Sequence, residues 1–206
     1  MMSESGILFI VSAPSGAGKT SLLRKLVPAD PRLQMSVSHT TRAMRPGEED
    51  GMHYHFVTAE RFEQLVEAGG FLEHARVFDN YYGTAEDTVR GQLAQGLDLV
   101  LEIDWQGARQ VRKRFPDAVS VFVAPPSIEA LRKRLSGRGQ DSAEIVERRM
   151  TDARSELSHF PEYDYLVIND DFDTALAELR AILTAERLRE PRQADRFADA
   201  LASMLG

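Results

Sequence analysis

The chain contains no cysteine, a single tryptophan and no excess of positive charge. Without cysteine there are no disulfides and no thiolate nucleophiles, a composition suited to a reducing compartment. Twenty-five basic against 32 acidic residues leave a formal charge of -7. General nucleic-acid and membrane-surface binders normally need a basic surface, so neither partner is expected. Long hydrophobic runs are lacking as well. The stretch from Ile7 to Ala13 is too short to cross a bilayer, and Met1 to Gly6 carries no basic leader. These absences lead to the expectation of a cytoplasmic protein that acts on small molecules, with a homo-oligomer left open.

What is present suffices for a core. The 206 residues are 43% hydrophobic, enough for one compact unit with small inserted subdomains. Ile7 to Val11, Leu97 to Ile103, Val119 to Ala124 and Tyr165 to Ile168 are continuous apolar runs, the mark of strands covered on both faces. Helix-like spacing alternates with them over Ser21 to Val27, Gln106 to Phe115, Ile128 to Leu135, Ala143 to Phe160 and Ala175 to Arg189. Such alternation predicts an α/β fold with right-handed crossovers and a parallel sheet.

Two sections break the rhythm. Gln34 to Tyr82 holds short aromatic strand candidates (Met35 to Ser38, Tyr54 to Val57, Phe71 to Val77) around a short helix at Ala59 to Ala68, and reads as an insert with its own small sheet. Ser127 to His159 is helical, charged and interrupted at Gly137-Arg138-Gly139, which reads as a hinged helical lid. The expected division is a core of 1–33, 84–126 and 160–206, an insert of 34–83 and a lid of 127–159. The tail beyond Pro191 is expected to be helical.

The chemistry begins at Ala13-Pro14-Ser15-Gly16-Ala17-Gly18-Lys19-Thr20-Ser21, which closes a strand and opens a helix. Glycines let backbone N–H groups curl around phosphate oxygens, and the helix N-terminus adds positive partial charge. Lys19 is placed to reach the β- and γ-phosphates, and the Thr20 hydroxyl to ligate Mg2+, partly through water. The strict phosphate-loop pattern has Gly where Ala13 stands. The dinucleotide fingerprint fails because Ser21 occupies the place of its third glycine.

Glu102 and Asp104 sit two residues apart at the end of an apolar strand, on one face and beside the loop, where carboxylates hold magnesium or meet a second substrate. Asp104 is the favoured one. Ser38 to Glu48 carries Arg42 and Arg45, planar forks suited to clamping a phosphate, and Tyr54 and Tyr82 supply phenol donors. By itself this segment is equally a solvated loop. The arginines and lysines at 109, 112, 113, 114, 132, 133, 134, 138, 148 and 149 concentrate positive charge locally and point to a small anionic ligand. His53 and His55 share one strand face without an evident third ligand and read as packing or surface residues, while Trp105 and the phenylalanines read as core.

Read together, Ser-x-Thr-Thr-Arg-x-x-Arg-Pro-Gly-Glu from Ser38, Phe71-Leu72-Glu73, Asn80-Tyr81-Tyr82-Gly83-Thr84, Asp104-Trp105-Gln106-Gly107, Arg134-Leu135-Ser136-Gly137-Arg138-Gly139 and Val167-Ile168-Asn169-Asp170-Asp171 resemble guanylate kinase in the right order. The resemblance implies a P-loop three-layer core, a GMP-binding insert of mixed β-sheet and a helical lid. It implies transfer of the γ-phosphate of ATP to GMP, and to dGMP, with Mg2+. By that resemblance Arg42, Arg45, Tyr54 and Tyr82 hold the GMP phosphate, and Ser38, Glu73 and Thr84 meet the guanine. Glu48 and Asp104 join the GMP side. Lys19, Arg42, Arg134, Arg138 and Arg149 form the catalytic set, while Ala13 to Ser21, Arg134, Arg138 and Asn169 bind ATP, with Asn169 near the adenine. Ala13, Thr84 and Glu102 depart from the residues most common at their places.

Other classes fit less well. A non-catalytic interaction module on the same fold would not need Lys19, Thr20, Arg42 and Arg45. A kinase for a bare sugar phosphate would not need Ser38 and Glu73, and a switch GTPase would carry an Asn-Lys-x-Asp motif.

Overall fold

An apolar run without a polar break suits a strand with both faces covered, and β1 (Leu8–Ser12) is buried along its whole length. The computed structural model describes residues 5–77, 79–136 and 143–206. The other strands are β2 (Leu33–Met35), β3 (His39–Thr40), β4 (His55–Phe56), β5 (Phe71–Val77), β6 (Asn80–Ala85), β7 (Asp98–Glu102), β8 (Val119–Ala124) and β9 (Tyr165–Ile168). The helices are α1 (Lys19–Leu26), α2 (Ala59–Glu67), α3 (Glu86–Ala94), α4 (Trp105–Arg114), α5 (Ile128–Ser136), α6 (Ala143–Leu157), α7 (Phe172–Arg187), α8 (Glu190–Arg196) and α9 (Ala198–Leu205).

Successive residues of β1 feed opposite layers. Phe9 and Val11 pack with Leu22, Leu23 and Leu26 of α1 and with Leu176, Leu179 and Leu183 of α7. Leu8 and Ile10 pack with Val89 and Leu93 of α3 and Val111 of α4. Two helical layers therefore clamp the sheet, and emptying one buried ring, as in Phe9→Ala, costs about 3–5 kcal/mol.

The large sheet has the order β2-β7-β1-β8-β9, and every neighbouring pair is parallel. The chain leaves β1 toward β2 on one side and reaches β8 on the other only later. That reversal makes the carboxyl end of β1 the switch point where open α/β sheets bind ligands. β1 stops there at Ser12 and β7 at Glu102.

Two strand expectations are corrected. Met35 belongs to β2 at the edge of the large sheet, paired with Val100, and not to the insert's sheet. Tyr165 to Ile168 is not covered on both faces: β9 is the opposite edge, with Leu166 at 46% and Ile168 at 43% exposure and Val167 alone buried.

The small sheet is mixed, with the order β4-β3-β6-β5. β3 and β4 run parallel, while β6 is antiparallel to both β3 and β5. Phe62 of α2 stacks on Tyr81 and tilts against Phe71, giving this sheet an aromatic core. On the other side Leu72 joins the layer formed by α3 and α4, so the β5-β6 hairpin is anchored to the large sheet's own packing. The register of β5 slips between Phe71 and Glu73. Such a bulge re-aims side chains, and here it leaves Phe71, Leu72 and Glu73 all buried.

α5 and α6 pack on each other through Leu131, Leu135, Met150 and Ala153. Leu131 and Leu135 also lie against Gly16. The tail is helical as α8 and α9, and among the described residues no helix is long and apolar enough to cross a membrane.

Candidate active site

Ala13 to Gly18 turns the chain from β1 into α1. Gly18 caps α1 in the left-handed conformation, φ 96°, and no side chain caps that end. The first N–H groups of the helix therefore have no side-chain acceptor and are disposed for an anion. A methyl group at Gly18 would stand 2.3 Å from the Asn169 amide nitrogen, so glycine is required by crowding as well as by φ. The Asn169 side chain donates to the Ala17 carbonyl at 2.7 Å. Arg134 donates to the Asn169 carbonyl at 2.8 Å and more loosely to that of Ala17 at 3.5 Å. Lys19 donates to the Ile103 carbonyl at 3.3 Å, and the Thr20 hydroxyl donates to Glu102 at 2.5 Å. Hydroxyl and carboxylate oxygens so close together form a hard donor set of the kind magnesium selects. Among the described residues no group of three or more acidic or histidine side chains forms a metal cage.

The small sheet supplies the facing wall. Glu73 is 3% exposed and accepts from the Thr84 hydroxyl at 2.6 Å. Thr84 is fully buried, and its oxygen lies 3.2 Å from that of Ser38. Burial, reinforced by Asp104 and opposed by the Thr84 hydrogen bonds, pushes the Glu73 carboxyl up to about 7. Arg42 is held before any ligand contact: it donates to Glu48 at 2.7 Å and to the Ala43 carbonyl at 2.7 Å, and lies 5.5 Å from the Tyr54 ring centre. Glu48 also accepts from the Arg45 N–H at 2.8 Å, which fixes the turn carrying both arginines. These contacts hold the Glu48 carboxyl below its usual range, with the Arg42 bond foremost. Tyr54 packs edge-on to Tyr82, and burial raises its phenol.

Both walls open on one cleft of about 400 Å³. The phosphate loop, Lys19, Thr20, Glu102 and Asp104 line one side and Ser38, Tyr54, Glu73 and Tyr82 the other, and Arg149 of α6 lines the cleft as well. Asp104 also caps α4, accepting from the Gly107 N–H at 2.9 Å.

The guanylate kinase family model matches residues 5–186. The guanylate kinase of Alkalilimnicola ehrlichii is 59% identical over 98% of this chain and 99% of its own. That of Hahella chejuensis is 58% identical over 97% and 96%. The chain belongs to the guanylate kinase family. The crystal structure of guanylate kinase from Anaplasma phagocytophilum superposes with a TM-score of 0.75 at 34% identity, covering 93% of this chain and 91% of that one.

Not every residue singled out in the sequence lines the cleft. Thr84 stands behind Ser38 and Glu73, while Arg134 and Asn169 support the loop from outside it. Arg45 is exposed, and Arg138 lies outside the described residues. The basic cluster does not act as one patch. Arg109 and Arg112 pair with Glu162, Arg114 with Glu86 and Arg132 with Glu147, and of these basic positions Arg149 lines the cleft. Trp105 is not a core residue. It is half-buried, stacked on His159 at 3.8 Å, with the Arg109 guanidinium 4.7 Å from its ring centre. Several phenylalanines are also outside the core, Phe160, Phe172 and Phe197 being exposed. His55 packs against His39 at 4.7 Å, while His53 is an exposed surface residue that accepts from the Glu49 N–H.

Two charged residues of the cleft are not among the site residues the sequence suggests, Asp152 and Glu156. The signal was there. Arg149, Asp152 and Glu156 are spaced i, i+3 and i+7, which sets them along one face of a helix whose first member had been noticed.

Proposed function

We propose that this chain carries out the family reaction, ATP-dependent phosphorylation of GMP to GDP, with the two walls of the cleft dividing the substrates. The observation that carries the division is that Lys19 and Glu73, one from a phosphate loop and one from a buried base-sized recess, line the same 400 Å³ cleft. Ala13 to Ser21 hold the phosphates of ATP on backbone N–H groups, with Asn169 and Arg134 keeping the loop in shape. Arg42, Arg45, Tyr54 and Tyr82 hold the GMP phosphate, and Glu48 aims Arg42. Ser38 and Glu73 read the guanine, with Thr84 behind them holding the Glu73 carboxylate, and that one carboxylate accepts from the adjacent N1–H and N2–H donors together. Adenine lacks that donor pair and would leave Glu73 buried and unpaired, a penalty that supports rejection on the order of 10⁴-fold.

An oxygen of the GMP phosphate attacks the γ-phosphorus of ATP, the bond from that phosphorus to the bridging oxygen breaks, and ADP leaves. The attacking oxygen is already ionised at neutral pH, so no general base is needed. Catalysis then lies in alignment and in charge stabilisation of a loose transition state. Lys19, Arg42, Arg138 and Arg149 counter charge on the transferred group, and Arg134 adds its charge from behind the loop it braces. Mg2+, held at Thr20 with help from Glu102 or Asp104 through water, would neutralise phosphate charge there. The loop core (1–33, 84–126, 160–206, with β2 extending it to Met35), the GMP-binding insert (34–83 apart from those β2 residues) and the lid (127–159) are the units that close to exclude water. A coupled assay of ADP release against a panel of nucleoside monophosphates tests the reading. Turnover with GMP and dGMP and little with AMP, CMP or UMP is expected. Folded protein without turnover on any of them would mark a non-catalytic member of the family.

A further inference from the structure

Glu156 reaches into the phosphate loop from the last turn of α6 and accepts a hydrogen bond from the Ser15 N–H at 3.1 Å. The two residues are 141 positions apart, so the contact is made by the fold and not by local chain geometry. A loop shaped for anions thus has a protein anion on one of its own amides. The charges around it are mixed. Lys19 attracts the carboxylate, whereas Asp104 and Asp152 repel it, and Asp152 and Arg149 share its helix face along the cleft. Its burial raises the carboxyl above the usual range despite the Ser15 bond and Lys19. Phosphate oxygens and carboxylate oxygens ask the same thing of a backbone N–H, and a fixed negative charge within a few ångströms of another opposes it.

We propose that Glu156 is a built-in competitor for the phosphates of ATP: its carboxylate holds the Ser15 amide, and a nucleotide takes that donor by moving it off. Competition of this kind weakens ATP and ADP alike and leaves GMP untouched. It hastens departure of the ADP product, a step that limits turnover in many enzymes. Glu156 is on this account a residue that sets nucleotide affinity and release, acting through the loop. The inference rests on the reading that Ala13 to Thr20 seat ATP.

Calorimetric titration of Mg·ATP, ADP and GMP into wild type, Glu156→Gln and Glu156→Ala tests it. Glu156→Ala is expected to bind ATP and ADP about tenfold more tightly, equivalent to about 1.4 kcal/mol. Glu156→Gln should tighten them less, since its amide oxygen still accepts from Ser15, and GMP affinity should not change. A fall in KM for ATP accompanied by a fall in kcat is the kinetic counterpart, which a merely structural role would not produce. Folded variants that bind ATP as wild type does, or more weakly, overturn the proposal. Should Glu156→Ala not fold, NMR of isotope-labelled wild type decides: Mg·ATP should shift the Ser15 amide and the Glu156 carboxyl carbon together, and an unmoved carboxyl signal at saturation rejects the competitor. Lys19→Ala separates the two ideas, because undiminished ATP binding there would overturn the loop reading itself.

Discussion

Gly107 and Glu73 stand so close that a methyl group on the first would lie 2.6 Å from Oε2 of the second. The first turn of α4 therefore forms the back of the recess in which the carboxylate is held, and glycine is what lets it approach. Gly107→Ala should push Glu73 off its line while favouring the helix itself, since alanine exceeds glycine by about 1 kcal/mol in helix propensity. The expected result is a rise of about tenfold in KM for GMP and weaker discrimination against AMP, in a protein whose KM for ATP is unchanged. Steady-state kinetics on both monophosphates measure it, with a melting curve to show that the fold survives.

The Glu73 carboxyl, pushed up to about 7 by burial, gives two pH dependences of opposite sense. On the proposed assignment guanine is bound by the ionised form, so GMP affinity should decline as pH falls below about 7, approaching tenfold per unit. Stability runs the other way. The folded protein holds the Glu73 proton up to about 7, whereas the unfolded chain releases it near 4.5, so stability is lost as pH rises between those values. The loss is on the order of 3 kcal/mol, from about 1.4 kcal/mol per unit of pKa difference. Glu73→Gln should remove the Glu73 share of both dependences, binding GMP at least tenfold more weakly and leaving only the titration of the GMP phosphate itself, which ionises a second time at about pH 6. Denaturant melts of the two proteins at several pH values, read as a difference, isolate the contribution.

Asn169 ties the phosphate loop to the end of β9 through one buried hydrogen bond, on Ala17. Asn169→Ala deprives that carbonyl of its close partner and leaves the longer Arg134 contact. A stability loss of about 1–3 kcal/mol is expected, the usual cost of orphaning a buried acceptor. KM for ATP should rise and GMP affinity should hold, because the other wall of the cleft is not touched. Urea melts and titrations with each nucleotide separate the effects.

What could be read from the sequence was whatever repeats itself locally. β1, β7 and β8 announce themselves as apolar runs because parallel strands under two helical layers have no wet face, and the phosphate loop is legible because its glycines and Lys19 are consecutive. β3 has only His39 and Thr40, too few residues to show any period, and exists because Tyr82 and Gly83 pair with it from far along the chain. α3 went unread since only Val89 and Leu93 are buried and Gly91 interrupts it. The residues proposed for GMP are legible only through the resemblance, as Ser38, Glu73 and Thr84 become a constellation only once β5 and β6 pair. Arg109 and Arg112 misled for the same reason: their partner, Glu162, lies some fifty positions on. Charge counted along a chain does not show which charges are already paired.

The stacking of Trp105 on His159 has a practical consequence. As the chain's single tryptophan, it makes the emission excited at wavelengths beyond the absorption of the five tyrosines the signal of one place, the junction between the start of α4 and the short turn after α6. An imidazole in van der Waals contact quenches indole emission most strongly when protonated. The molecule thus carries an unmodified optical gauge one residue from Asp104 at the mouth of the cleft.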